Sequence, residues 1–131
     1  MPSKTVKLSH RQNQIDHKSS AEAKINADAV PTLFLHGLDS SSHTWRDTLD
    51  ELSTPAVALD LRGCGYSDLG DADDFCPELI VEDIHEFISK HEYFQGVDVN
   101  VNVNEDKGGQ KKGIKKFVIC GHSMVRTDNM I

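Results

Sequence analysis

Residues 116–124 read KFVICGHSM, an apolar run that breaks at a glycine and a serine. The run from Phe117 to Cys120 has the length and the branched content of a buried strand. Gly121 allows a sharp turn, which brings the hydroxyl of Ser123 out at the end of that strand. This pattern is the strand-to-turn half of a nucleophile elbow, G-x-S-x-G, although Val125 occupies the fifth position.

Two other apolar runs lie upstream, and each is followed by a loop with polar or glycine residues. Residues 31–35 end at His36-Gly37, and residues 56–61 lead into the glycine-rich turn RGCGYS. Runs that are apolar on both faces are typical of parallel strands covered by helices. Helical periodicity predicts amphipathic helices over residues 42–53 and 78–92. The alternation of strands and helices therefore predicts an α/β fold, with mostly parallel strands, flanking helices and three loops converging at one sheet edge.

The remaining segments carry weaker signals. Residues 1–30 are a polar N-terminal segment, in which residues 5–9 and 14–17 are candidate strands. Residues 95–113 include an Asn-rich, low-complexity tract, which we interpret as a surface insertion rather than an exposed strand. We expect residues 31–124 to form part of one domain, with the insertion inside it, followed by a divergent tail at 125–131.

Charge and composition exclude several classes of protein. The 131 residues carry a net charge of −7, which argues against nucleic acid as a partner. No apolar run approaches the roughly 20 residues of a membrane span, and the first 20 residues lack the apolar core of a secretory signal. The three cysteines show neither paired nor zinc-binding spacing. We therefore expect no metal or cofactor and a cytoplasmic location, with an organellar transit peptide as the weaker alternative.

Four motifs occur in order along the chain: LFLHGL at 33–38, SHTW at 42–45, LDLRGCGYS at 59–67 and FVICGHSM at 117–124. In sequence and spacing these resemble the N-terminal half of the α/β-hydrolase superfamily. The resemblance implies a partial α/β-hydrolase sheet, truncated after the strand of the nucleophile elbow.

The resemblance also implies carboxylic-ester hydrolysis through an acyl-enzyme on Ser123, with a small-molecule ester or acyl substrate. The backbone N–H groups of Leu38 and Met124 would form the oxyanion hole. Related epoxide hydrolases and haloalkane dehalogenases place Asp at the nucleophile position, so a serine favours an esterase, lipase, perhydrolase or C–C hydrolase. Residues that shape the two loops would be His36, Gly37, Gly121 and His122.

The acid and the histidine that this family places after the serine have no counterpart in the sequence. Asp128 is the only acid after Ser123 and lies too close to it, and no histidine follows. Without a base a serine hydroxyl is a poor nucleophile near neutral pH. We therefore expect a truncated product with little or no activity. The alternatives are a non-catalytic fragment that acts as a binding or interaction module, and a gene product without function.

Several other sequence patterns are expected to have structural roles rather than catalytic or ligand-binding ones. Asp60 and Arg62 are expected to fix the turn after the third strand. Gly63-x-Gly65 lacks the third glycine and the following helix of a dinucleotide site. The acids at 71–74 lack EF-hand spacing, and the lysines at 107–116 are expected to belong to a solvated loop.

Overall fold

A four-stranded sheet forms the centre of the computed structural model, which describes residues 6–13, 29–71, 76–96 and 116–123. Its strands are β1 (His10–Gln12), β2 (Thr32–Leu35), β3 (Ala56–Leu59) and β4 (Val118–Gly121), in the order β1-β3-β2-β4. β2 is parallel to β3 and to β4, whereas β1 is antiparallel to β3. The predicted α/β class with mostly parallel strands is confirmed.

Successive residues of β2 and β3 point to opposite faces of the sheet, as the pleat requires. One face carries Leu33, Leu35, Val57 and Leu59, packed with residues from the second helix. The other carries Phe34, Ala56 and Ala58, packed with Leu49 of the first helix. Both faces are thus covered, which explains why the two strands are continuous apolar runs rather than alternating ones.

The first helical segment is shorter and more irregular than the sequence predicted. A 3-10 turn at Ser42–Trp45 leads into α1 (Arg46–Glu51). The hydroxyl of Ser41 accepts a hydrogen bond from the N–H of His43 at 3.3 Å, which satisfies one of the donors at the start of the turn. The ring of Trp45 packs on Phe34, with 4.8 Å between the ring centroids.

The second helix matches its prediction closely. α2 runs over Pro77–Lys90 and is followed by a 3-10 turn at Glu92–Phe94. Proline in the first turn costs no hydrogen bond, and an acid at Glu78 and a base at Lys90 suit the helix dipole. Ile84 and Ile88 are buried against the sheet, as their spacing indicates.

The strand predicted over residues 5–9 is wrong in position, because residues 6–9 form no strand. Their backbone bonds to a loop instead: Asp68 N–H donates to Lys7 C=O at 3.0 Å, and Asp60 N–H donates to Ser9 C=O at 2.9 Å. Polar and apolar side chains do alternate along residues 6–9, but the backbone of this segment forms hydrogen bonds with the residues that follow β3 rather than with a strand. The strand begins only at His10, where β3 becomes the partner.

β4 is less buried than a continuous apolar run predicts. Val118 is 49% exposed, and the other three residues of the strand are partly buried. Within the described residues β4 lies at the edge of the sheet and pairs only with β2.

Several predictions fall outside the described residues. These are the weak strand at 14–17, most of the insertion at 95–113 and the tail at 125–131. Among the helices in the described ranges, none combines the length and apolar character that crossing a bilayer requires.

Candidate active site

The predicted nucleophile elbow begins where β4 ends beside β2. Gly121 pairs with Leu35 in the parallel register, and the N–H of His122 donates to the carbonyl of Leu35 at 3.2 Å. The next residue, Ser123, is exposed and has φ 64. A left-handed backbone is uncommon for a residue other than glycine, and such strained turns concentrate at functional sites. Ser123 therefore has the backbone expected at the apex of a nucleophile elbow.

The His36-Gly37 loop lies directly against this apex. A Cβ atom placed on Gly37 would come within 2.7 Å of the Cβ of Ser123 and 3.1 Å of the carbonyl oxygen of His122. Only glycine permits this approach without displacement of one backbone. The loops after β2 and β4 are thus in contact, as the shared sheet edge predicted.

The ring of His36 connects the loop after β2 to the loop after β3. This side chain is 1% exposed. Its Nε2 accepts a hydrogen bond from the N–H of Leu61 at 3.0 Å, and its Nδ1 lies 2.8 Å from the carbonyl oxygen of Gly37. Both ring nitrogens are therefore engaged by backbone groups.

Asp60 holds the other end of the same loop. Its Oδ1 accepts from the N–H of Ser42 at 2.7 Å, and its Oδ2 accepts from the hydroxyl of Ser9 and from the N–H of Tyr66. A Cβ on Gly65, which has φ +52, would overlap this carboxylate. Residues 36–42 are thus tied at both ends to the segment that follows β3.

The environment of Asp60 favours its charged form. Burial by itself raises the pKa of the carboxyl, but hydrogen bonds from Ser9, Ser42 and Tyr66 outweigh it, so the pKa lies below the ordinary value of 3.8. In the folded protein the carboxylate is consequently harder to protonate than in the unfolded chain.

This shift predicts a loss of stability in acid. A carboxyl with a lowered pKa stabilises the fold at pH values above the unfolded pKa, and that contribution disappears as the pH falls through the folded pKa. The free energy of unfolding of the parent should therefore decline below a pH of about 4, and more steeply than that of Asp60→Asn. Urea titrations at a series of pH values would measure this. Equal acid dependence in both chains would contradict the assignment.

Arg62 and Asp83 join the turn after β3 to α2. Nε of Arg62 lies 2.8 Å from one oxygen of Asp83, and Nη2 lies 2.8 Å from the other. The two side chains are 2% and 8% exposed. A buried, two-pronged ion pair of this kind fixes the guanidinium plane as well as its position.

Sequence reasoning missed two of these partners. Asp83 lies three residues after Ile80 and four before Phe87, inside the apolar stripe of α2, and an acid in such a stripe is a usable signal for a buried partner. Ser9 lies 51 residues from Asp60 and carried no comparable signal.

A catalytic base is not evident among the described residues. The structure shows no hydrogen bond between the hydroxyl of Ser123 and the ring of either His36 or His122. His122 is exposed, and His36 is engaged as described above. Met124, the second predicted oxyanion donor, and Asp128 lie outside the described residues. Nor do the described His, Cys, Asp and Glu side chains form a group of three suited to a metal ion.

Comparison with known proteins identifies the family. The model of the Alpha/beta hydrolase family matches residues 32–124, which is well over half of the chain. The chain therefore belongs to the α/β-hydrolase family. The match spans the elbow, the His36-Gly37 loop and the turn after β3.

Individual proteins are similar to parts of this chain. Over 51 residues the chain is 37% identical to esterase Rv0045c of Mycobacterium tuberculosis (strain ATCC 25618 / H37Rv), covering 39% of this chain and 17% of that protein. A crystal structure of a DBJA mutant has a TM-score of 0.51 and 29% identity, covering 66% of this chain and 26% of that one. A mutant epoxide hydrolase from Bacillus megaterium has a TM-score of 0.49 and 31% identity, covering 63% and 26%. The chain thus spans about a quarter or less of the length of these relatives.

Proposed function

We propose that this chain carries the nucleophile and the oxyanion loop of a serine hydrolase that cleaves small carboxylic esters. The observation that supports this most strongly is the left-handed backbone of Ser123, at φ 64, directly against Gly37. The esterase name of the curated relative agrees with a serine at this position. 

In the proposed reaction the hydroxyl oxygen of Ser123 attacks the ester carbonyl and forms the acyl–oxygen bond. The backbone N–H groups of Leu38 and Met124 would stabilise the negative charge that develops on the carbonyl oxygen. Collapse of the tetrahedral intermediate releases the alcohol and leaves the acyl group on Ser123. The hydroxyl proton has to pass to a base and then to the departing alkoxide.

The described residues offer no candidate for the base that accepts this proton. Because neither His36 nor His122 is hydrogen-bonded to Ser123, we propose that the 131-residue chain by itself acylates slowly. An oxyanion hole and substrate binding can still leave a residual acceleration of about 10³–10⁴ over water. A diffusible base such as imidazole should therefore increase the reactivity of Ser123.

Labelling with a fluorophosphonate probe tests this proposal, with Ser123→Ala as the matched control. We expect slow labelling of the parent at Ser123, faster labelling when imidazole is added, and none of Ser123→Ala at that peptide. A folded chain, checked by circular dichroism, that stays unlabelled under both conditions would favour the non-catalytic binding module. Equal labelling of the parent and the variant would place the reaction at another residue.

A further inference from the structure

The ring of His91 connects three elements at the end of α2. This residue follows the helix directly and precedes the 3-10 turn at Glu92–Phe94. Its Nδ1 accepts a hydrogen bond from the backbone N–H of Tyr93 at 3.1 Å. Its Nε2 lies 2.8 Å from Oε1 of Gln12, the last residue of β1. One side chain therefore joins the helix, the turn and the strand.

The first of these bonds determines where the ring carries its proton. A backbone N–H can only donate, so Nδ1 of His91 has to be unprotonated. The proton of the neutral ring then lies on Nε2 and is donated to the amide oxygen of Gln12. Both nitrogens of an imidazolium are donors, so a second proton would face the N–H of Tyr93, and rotation of the ring would not remove this conflict. Only the neutral ring can form both hydrogen bonds.

The neighbouring rings also favour the neutral form. Phe87 stacks on His91 with 5.2 Å between the ring centroids, and His10 packs edge-on at 5.0 Å. Nε2 of His10 lies 3.2 Å from the same Oε1 of Gln12, so a charge on one imidazole would lie close to the other. Burial lowers the pKa of His91 below the ordinary value of 6.5, and His10 lowers it further, whereas Glu92 opposes the shift.

The other charged groups near the ring are largely paired with one another. A cavity of about 380 Å³ lies between the N-terminal segment and α2, and His91 is part of its lining. The titratable and charged side chains that share this lining are Lys7, His10, Asp83, Glu86 and Lys90. Asp83 is paired with Arg62, and Glu86 with Lys90. Within the described ranges no carboxylate forms an ion pair with His91, so a positive charge on this ring would lack a close counter-ion.

The turn that follows His91 contributes to the core beside β4. Phe94 is 1% exposed, and its ring packs on Phe117 with 5.8 Å between the centroids. Phe117 directly precedes β4, the strand that leads into the candidate site. The hydroxyl of Tyr93, in the same turn, donates to the carbonyl of Asn13 at 2.7 Å. Release of the turn would therefore disturb the packing next to β4 as well.

We propose that His91 is an acid-sensitive clamp: its neutral ring joins α2 and β1 to the turn at Glu92–Phe94, and its protonation releases that turn. The clamp is a property of the folded chain and does not depend on Ser123 as a nucleophile. Its contribution to stability is complete above a pH of about 6.5 and is lost as the pH falls through the lower pKa of the folded state, because the unfolded chain takes up the proton first. This range lies above the one predicted for Asp60.

The first measurement is the nitrogen-15 spectrum of the imidazole rings of the parent at about pH 7, where an ordinary histidine is mostly neutral. We expect the ring of His91 to carry its proton on Nε2. A neutral ring with its proton on Nδ1 would overturn the proposal, however any variant behaves.

Amide exchange of the parent tests the release of the turn. The protection factor of the Tyr93 amide should fall by about tenfold or more between about pH 7 and about pH 5, as expected for the loss of a hydrogen bond. The amide of His91 donates to the carbonyl of Phe87 at 3.0 Å and does not use the ring, so its protection should stay. Unchanged protection of Tyr93, or an equal loss at both amides, would contradict the clamp.

Two substitutions separate the protonation of His91 from its capping role. His91→Asn keeps an acceptor for the N–H of Tyr93, because asparagine is a favoured residue before a helical turn, but it cannot be protonated. His85→Asn is the matched control, since His85 is an exposed residue of α2. The urea midpoints of the parent and of His85→Asn should decline between about pH 7 and about pH 5, and at least about half of that decline should be absent in His91→Asn. An equal decline in all three chains would overturn the proposal, and if His91→Asn does not fold, the two measurements on the parent decide.

Discussion

Replacement of Asp83 by alanine is expected to lower the free energy of unfolding by about 3–5 kcal/mol, because it removes one partner of a buried ion pair. The guanidinium of Arg62 is 2% exposed and is held by both oxygens of Asp83. Without that carboxylate the buried guanidinium would lose both of the hydrogen bonds that Asp83 accepts. A loss of this size is a large part of the stability of a small domain.

Glu82→Ala provides the matched control for this prediction. Glu82 precedes Asp83 on α2 but is exposed, so its replacement should change stability by no more than about 0.5 kcal/mol. Urea denaturation followed by circular dichroism would measure both variants. Equal effects of the two substitutions would show that the buried pair does not hold the turn after β3 to the helix.

Replacement of Gly37 by alanine is expected to slow the labelling of Ser123 by about 10²-fold, the cost of a misplacement of about 1 Å at a reacting centre. The added Cβ would lie 2.7 Å from the Cβ of Ser123, an atom close to the backbone that no side-chain rotation can move away. Either the turn at Ser123 or the His36-Gly37 loop must shift. Labelling with the fluorophosphonate probe in the presence of imidazole would measure the effect.

Gly96→Ala separates this local effect from a general loss of stability. Gly96 is exposed and has φ 85, so alanine there is strained but remote in sequence from both loops of the site. We expect Gly96→Ala to destabilise the fold and leave the labelling rate of the folded chain near the parent value. Parent-like labelling of Gly37→Ala would mean that the contact between the two loops is unimportant.

The central layers of this fold could be predicted from the sequence because each element has a local hydrophobic pattern. β2 and β3 are apolar on both faces and α2 has a helical stripe, so each carries its own signal. β1 could not be located in the same way. The alternation at residues 6–9 is present, yet these residues bond to the turn after β3, which only the folded chain brings near.

The candidate site was predictable to the extent that it follows from strand topology. Loops after parallel strands share one edge of a sheet, which places the His36-Gly37 loop near Ser123. The contact between Gly37 and Ser123 depends on the register of β2 and β4, in which Leu35 pairs with Gly121. The binding of Ser9 to Asp60 depends on a short side chain without periodic context, and such partners are visible only in three dimensions.

The measurement that tests the central claim most directly is trapping of the acyl-enzyme. The chain would be mixed with an activated ester such as p-nitrophenyl acetate, quenched in acid and mapped by peptide mass spectrometry, with Ser123→Ala treated in parallel. Because deacylation also needs a base, we expect an acetyl group to accumulate on the peptide that contains Ser123 and to be absent from that peptide in the variant. Acetylation confined to lysines, or equal in both chains, would contradict the assignment of Ser123 as the nucleophile.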